Sequence, residues 1–372
     1  MLIAIFVIAI SMSTVAGHAK KSTVKLFFQN APSAEAGNND ILFAKRYLLF
    51  PSQITDAVLG RTYFPELDGY INDRGYLLRG SYSSADIDGA SAQVSMLRDY
   101  CEATDRNFAY FILPSIPEYD SDITDVGIGC HRNQHADLLS SRLSEDGISL
   151  LDLRTMFRSE EDYYSFFYKT DHHWTVEASI IASREIVSYL NRQFSIGLNE
   201  TAIAEHNLLK TELPSSWVGE TGQKALGAFG ERDSYTIFKP AYGTSFSYSC
   251  PPKDLYLEGS FDILTFPSVL ENNGISGTGS SYHYYYLRDN EAPVEITNNS
   301  EQNGDLLIIK DSYVNSAAPF IALTAHKVTL WDMRSDPDLI AYLEAHPEIT
   351  TVIIAYSTSF LTTSYMNQFF DN

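Results

Sequence analysis

Apolar residues within residues 90–103 recur at three- and four-residue steps, at Val94, Leu97, Tyr100 and Cys101, the spacing of one helix face. The run that follows, NFAYFILP over residues 107–114, is continuously apolar, as expected of a strand buried on both faces. The alternation returns along the chain. Residues 136–143 predict a short helix and 148–153 a strand, and 176–194 predict a long helix with Ile180, Ile181, Ile186, Val187 and Leu190 on its apolar face. Further on come a strand at 305–309, a helix at 314–324, a strand at 328–331, a helix at 337–345 and a strand at 351–355. Buried strands alternating with helices predict an α/β fold: a mostly parallel, doubly wound sheet with helices on both faces.

Two stretches depart from this pattern. Residues 22–80 are weakly periodic and rich in turn residues, as in Pro32-Ser-Ala-Glu-Ala-Gly37, and predict an irregular N-terminal segment. Residues 193–303 turn to Gly, Ser, Tyr and Asn, with short β-like pieces at 235–238 and 261–265. They predict a β-rich insertion of antiparallel strands beside an α/β domain that spans residues 81–372. No internal repeat is visible. The first 21 residues hold an apolar stretch from Leu2 to Ile10, then small residues, then Lys20 and Lys21. That order resembles a secretory signal, with Val15-Ala-Gly17 or Gly17-His-Ala19 as the small-residue cleavage site. No basic residue precedes the apolar run, so the alternative is a retained anchor of about 17 residues, the minimum for spanning. Either reading places the rest of the chain outside the cytoplasm, secreted or anchored; the plainer alternative is a buried N-terminal helix.

Composition narrows the function classes. Apolar residues make up 44% of the 372-residue chain and aromatics 13%, a globular content. Acidic residues number 47 against 26 basic ones, for a net charge of −21, and no Lys/Arg-dense run exists to neutralise phosphates. Nucleic acid is thereby disfavoured as a partner. Cys101, Cys130 and Cys250 are too few and scattered for a disulfide scaffold or a C-x-x-C metal site; one disulfide of unreadable pairing is allowed.

Two segments carry candidate chemistry. The first is Tyr168-Lys-Thr-Asp-His-His-Trp-Thr175, just ahead of the long helix at 176–194. In extended chain, residues two apart project to one side, so Asp171 and His173 can meet while His172 points away. A carboxylate on one imidazole nitrogen fixes the tautomer and leaves the other nitrogen to take a proton from a nucleophile. The plainer alternative is that Asp171 caps the helix and both histidines are structural. The second segment is Leu306-Leu-Ile-Ile-Lys-Asp-Ser-Tyr-Val-Asn315, where a buried strand ends and a helix begins. Ligands of open α/β sheets sit beyond the carboxyl ends of the strands, which places Ser312 well for attack. Backbone N–H groups of that turn would stabilise a tetrahedral oxyanion. An Asp/Ser helix cap is the alternative here. Asp233-Ser234-Tyr235 repeats the tripeptide but lacks a preceding buried strand, so Ser234 is rejected as nucleophile.

With these motifs in order, the chain resembles the DHHW-motif bacterial proteins, which are similar to the alginate O-acetylation proteins of the SGNH hydrolase-like group. The resemblance rests on YKTDHHWT and IIKDSY and covers roughly residues 77–360. It implies a three-layer α/β/α sandwich with Asp171, His173 and Ser312 as a catalytic triad. It also implies acetylation or deacetylation of exported polysaccharide or oligosaccharide without a cofactor or metal, and a membrane acyltransferase as acyl donor if the reaction is transfer. Two positions depart from the alginate proteins: His172 stands where they have Thr, and Lys310 where they have Gly. The oxyanion hole is therefore open, with Asn315 as one candidate by its place in the first helical turn, and His172 is a candidate substrate contact.

Competing readings have less behind them; one of a different class is a non-catalytic surface protein on the same fold that binds glycans or scaffolds an acetylation complex. Asp-His-His also occurs in metal-dependent phosphoesterases, which need further Asp/His clusters at other strand ends, and none stands out. Cys130, His131 and His135 could offer metal ligands at helical spacing but lack a fourth. Tyr282-His-Tyr-Tyr-Tyr286 could stack on sugar rings or pack against neighbouring strands, and Trp174 reads as wall or core packing.

Overall fold

Strands β4 (Asn107–Leu113), β11 (Asp305–Lys310) and β13 (Thr351–Ser357) are the apolar runs of the sequence, and they form the centre of one sheet. The computed structural model describes residues 63–64, 69–72, 74–79, 85–116, 131–156, 160–224, 232–267, 284–285, 291–335 and 338–370. The signal or anchor segment read at residues 1–21 lies outside them, as do Cys130 and Tyr282.

The sheet has eight strands in the order β5 (Leu150–Asp152), β4, β13, β11, β12 (Lys327–Trp331), β10 (Val294–Asn298), β8 (Phe246–Cys250) and β9 (Leu255–Gly259). β5 (Leu150–Asp152), β4, β13, β11 and β12 (Lys327–Trp331) are mutually parallel. Alternation along β11 divides the core: Leu306 and Ile308 face one layer, Leu307 and Ile309 the other. The first layer is built on the long helix Val176–Phe194, and the second on helices Ile87–Ala103, Arg132–Glu145 and Leu339–Ala345. With α3 (Glu160–Ser165) between them in sequence, Ile87–Ala103 and Arg132–Glu145 are α1 and α2, and Val176–Phe194 is α4. The arrangement is the mostly parallel α/β/α sandwich expected from the pattern.

Helix α4 begins and ends where its sequence says. Thr175 caps it by accepting from Ala178 N at 3.2 Å, and Ser195 closes it in the left-handed region at φ 54°. The helix expected at 314–324 is instead split into a 3₁₀ turn, Ser312–Ser316, and a short helix, Ala318–Ala322. Pro319 explains the break, since it has no N–H to continue the earlier turn and suits the first turn of a new helix.

The insertion differs from expectation in placement. β8 (Phe246–Cys250), β9 (Leu255–Gly259) and β10 (Val294–Asn298) do not stand beside the core; they extend its sheet antiparallel, β10 pairing with β12. A separate hairpin joins β6 (Leu208–Trp217) to β7 (Asp233–Pro240), with the short helix α5 (Glu220–Lys224) between them. The β-like piece at 261–265 is a 3₁₀ turn, Phe261–Leu264, capped by Ser260; the buried Phe261 and Leu264 lie three apart, one turn of such a helix. Within the N-terminal segment read as irregular, β1 (Tyr63–Phe64), β2 (Gly69–Ile71) and β3 (Leu77–Arg79) form a small antiparallel sheet. Leu77 N donates to Lys169 O at 3.0 Å, so β3 is tied to the chain just before Asp171. Among the described residues, no helix is long and apolar enough to cross a membrane.

Ile308 is 1% exposed and lies between the central sheet and the α4 layer, whereas Leu209 on the hairpin is 61% exposed. Ile308→Ala is expected to cost about 2–5 kcal/mol in urea unfolding, and Leu209→Ala to stay within about 0.5 kcal/mol of wild type. Equal costs at the two positions would contradict this layering.

Candidate active site

Ser312 follows β11 at the carboxyl edge of the sheet and opens the 3₁₀ turn. Asp311 fixes that turn from beneath. It is fully buried, and its carboxylate accepts from Tyr313 N at 2.9 Å and from Ser357 N, at the end of β13, at 2.7 Å. Burial pushes the Asp311 carboxyl up, against the opposing pull of these N–H groups and the Lys310 charge. The cap expected as an alternative at this segment is therefore present, and it is Asp311 that makes it, with Ser312 left at the edge. Lys310 is also buried; its Nζ lies 3.3 Å from Asp332 Oδ2 past the neighbouring β12, and Arg334 Nη2 reaches the same oxygen at 2.6 Å.

The Asp-His-His segment enters from the other side. His173 Nδ1 lies 2.6 Å from Asp171 Oδ1, and its Nε2 lies 2.8 Å from Ser312 Oγ. Asp171 is fully buried and His173 is 4% exposed, whereas the His172 side chain is 41% exposed with Nδ1 3.8 Å from Asp171 Oδ1. The expected pair meets, but not by the alternation of an extended chain: residues 169–173 bend between Phe167 and Trp174, which pair antiparallel, and the His173 N–H donates to Asp171 Oδ1 at 3.0 Å, a tight turn that sets the two side chains together and leaves His172 half exposed. Burial alone would raise the Asp171 pKa. The His173 charge and hydrogen bond outweigh it, helped by the His172 charge and the Glu220 N–H, and hold the carboxyl well below the usual range.

Hydrogen bonds join the two halves. The Trp174 indole N–H lies 2.9 Å from Tyr313 O and 3.1 Å from Ser316 Oγ, and the Tyr313 hydroxyl donates to the His172 carbonyl. Trp174 is fully buried, as expected of wall or core packing, and it also braces the Ser312 turn. Asn315 is 1% exposed on that turn, and residues three apart in a 3₁₀ helix share a face, which places it on the Ser312 side.

Other positions fall away from the site. Ser234 is exposed on the β7 hairpin. Tyr284 and Tyr285 are 2% exposed and pack in the aromatic core, so these two members of the tyrosine run offer no open sugar platform. His131 and His135 rings lie 6.2 Å apart, and among the described residues the cluster able to offer three metal-ligand atoms is Asp171, His172 and His173. In that cluster both His173 ring nitrogens already make hydrogen bonds, to Asp171 and to Ser312. A cation there would have to break them. Cys101 is buried, its thiol pushed up to about 12 by burial, and plays no part at this edge.

Sequence reasoning missed three supports. Glu220 N donates to Asp171 Oδ2 at 2.8 Å, Asp233 holds the backbone just before Asp171, and the Trp174 N–H reaches across to Ser316. The Glu220 contact leaves no residue-type signal, because any non-proline residue supplies a backbone donor.

The chain thus sets a serine at the carboxyl end of a parallel strand against a histidine and an aspartate from an earlier segment, on an α/β/α sandwich. Residues 128–219 match the model of the SGNH hydrolase-like domain of the acetyltransferase AlgX, a span that includes Asp171 and His173 and stops short of Ser312. The fold is similar to that of Bacillus cereus PatB1 with a sulfonyl adduct, at 19% identity and a TM-score of 0.66 over 80% of this chain and 96% of that one. It is also similar to a DHHW family protein from Eubacterium siraeum, at 13% identity and a TM-score of 0.55 over 81% of this chain and 96% of that one. At these identities the structural likeness speaks for the fold. No curated protein matches the sequence.

A carboxyl held below its unfolded value contributes stability that is full above that value, about 3.9, and is lost as pH falls toward the folded one. Wild type should therefore resist urea better than Asp171→Asn at pH 7 and pH 5, with the gap narrowing below about pH 4. A gap that stays constant from pH 7 to pH 3.5 would show that Asp171 is not held in its charged form.

Proposed function

We propose that the protein is an exported O-acetyltransferase that modifies cell-surface or exported polysaccharide through an acyl-serine intermediate. The observation that carries this reading is the continuous chain Asp171 Oδ1, His173 Nδ1, His173 Nε2, Ser312 Oγ, at 2.6 and 2.8 Å, at the carboxyl edge of the sheet. The preference for acetyl transfer rests on the match to the AlgX acetyltransferase domain model. Export rests on the signal-like pattern of the first 21 residues, and secretion or anchoring follows from whether that segment is cleaved.

In the proposed reaction, Asp171 accepts from His173 Nδ1–H and so leaves Nε2 as the acceptor facing the Ser312 hydroxyl. His173 takes the Ser312 proton as Oγ attacks the carbonyl carbon of the acyl donor. The resulting oxyanion is stabilised by the Ser312 backbone N–H, with Asn315 as the candidate side-chain donor. Tyr313 N and Val314 N are directed back to Asp311, to its carboxylate and its carbonyl. The intermediate collapses by breaking the bond to the leaving group, which receives the proton from His173, and the acyl-serine remains. A sugar hydroxyl then gives its proton to His173 and attacks the acyl carbon, the bond to Ser312 Oγ breaks, and Oγ takes that proton back from His173, which restores the free enzyme. His172, half exposed beside His173, is assigned a contact to the incoming sugar. A membrane acyltransferase is the proposed source of the acyl group.

Ser312→Ala and His173→Ala are each expected to reduce turnover of an activated acetyl ester to background, and Asp171→Asn to lower it about 10³–10⁴-fold. With oligosaccharide acceptors added, mass spectrometry should find acetylated sugar. Acetate without acetylated sugar would make the enzyme an esterase, and equal activity in wild type and all three variants would overturn serine catalysis altogether.

A further inference from the structure

The tripeptide rejected as a nucleophile site, Asp233-Ser234-Tyr235, returns at the active site through its aspartate. Asp233 opens β7, is 9% exposed, and its carboxylate accepts from Lys169 N at 2.8 Å, Thr170 N at 2.8 Å and the Thr170 hydroxyl at 2.5 Å. The Thr170 oxygen in turn accepts from Gly219 N at 2.7 Å, and the Thr170 carbonyl accepts from Gly222 N at 2.7 Å. Between these two glycines, Glu220 N donates to Asp171 Oδ2 at 2.8 Å. The Thr170-Asp171 pair is therefore gripped from one side by β7 and from the other by the start of α5. Both belong to the β6–β7 hairpin and neither to the central sheet.

The fit is close. A Cβ on Gly219 would lie 2.4 Å from the Asp171 Cβ and 2.6 Å from the Thr170 carbonyl; one on Gly222 would lie 2.7 Å from the Thr170 Cβ. Separations below 3.0 Å mean that glycine is needed for the hairpin to come this near. With Oδ2 held by the Glu220 N–H, Oδ1 is left to take both the His173 backbone N–H at 3.0 Å and Nδ1 at 2.6 Å. The carboxylate plane is thereby set toward the imidazole. A second buried carboxylate beside Asp171 repels it, and burial is the main reason the Asp233 carboxyl is raised. An apolar residue would fill the space without that cost, but it could not receive three donors at once.

We propose that Asp233 is a positioning residue for acyl transfer: acting through Thr170 and residues 219–222, it fixes the Asp171 carboxylate on His173, so that the β6–β7 hairpin is part of the catalytic apparatus. This rests on the function proposed above. Removing the link from either end should let Asp171 rotate and impair proton transfer while leaving the ester-binding surface in place.

The test uses the full chain and the variants Thr170→Val, Thr170→Ser and Asp233→Asn. Active sites are counted by end-point labelling with a sulfonyl fluoride, a reagent class chosen because the PatB1 structure carries a sulfonyl adduct. Per labelled site, Thr170→Val and Asp233→Asn should lose about 10- to 100-fold in kcat for an activated acetyl ester, with KM within about twofold, the signature of misplacement. Thr170→Ser, which keeps the hydroxyl, should stay within about threefold of wild type. Wild-type kcat per site in both Thr170→Val and Asp233→Asn, even with a lowered Tm, would overturn the inference while leaving serine catalysis intact. Thr170→Val is nearly isosteric, and the two variants cut one link from opposite ends, so a failure of either to fold leaves the other to decide. A wild-type chain no more active than Ser312→Ala would instead overturn the proposed function, and this inference with it.

Discussion

A buried carboxylate without a full set of donors costs several kcal/mol, and the satisfaction of Asp171 organises the candidate site at the carboxyl edge of the sheet. Its two oxygens receive the His173 backbone N–H, the His173 ring and the Glu220 N–H, from a neighbouring loop residue and from a separate hairpin. The His173 charge and ring hydrogen bond, with the His172 charge and the Glu220 N–H, hold it charged in spite of burial. An aspartate so held orients one tautomer of His173 and gives the Ser312 hydroxyl an acceptor. The remaining contacts, from Trp174 to the Ser312 turn and from Tyr313 to the His172 carbonyl, keep the two chain segments in register at that point.

The sheet supplies the rigid reference. β11 is flanked by β13 and β12, and Asp311 at its end is tied to Ser357 at the end of β13, so Ser312 cannot move without disturbing two central strands. Lys310, placed where the alginate proteins carry Gly, is matched by Asp332 across the β11–β12 edge. The departure noted in the sequence is thus compensated by charge within the same edge. Its partner lies on the next strand, where motif inspection does not look.

Much of this was legible in the chain because it is local. The period of α4 and the apolar runs of β4, β11 and β13 follow from neighbours in sequence, and so does the pairing of Asp171 with His173, although a turn at residues 169–173 makes it and not the extended chain expected there. What was not legible is long-range. β8, β9 and β10 have the alternating pattern of any half-buried strand, and nothing local says that β10 pairs with β12 and extends the core sheet. Pro319 did announce a break in the predicted helix at 314–324, but the apolar spacing around it read as continuous. Asp233 looked like part of a decoy motif. Its three donors come from Lys169 and Thr170, brought to it by the fold of a hairpin that lacks any catalytic signature.

The proposed chemistry passes through Ser312. Rapid quenching of the full chain during turnover of an activated acetyl ester, followed by peptide mass spectrometry, reads this directly. An acetyl group on Ser312 in wild type, accumulating in His173→Ala no faster than in buffer and absent from Ser312→Ala, is the predicted result. Steady turnover with no acetyl on Ser312, or equal turnover in Ser312→Ala, would contradict it.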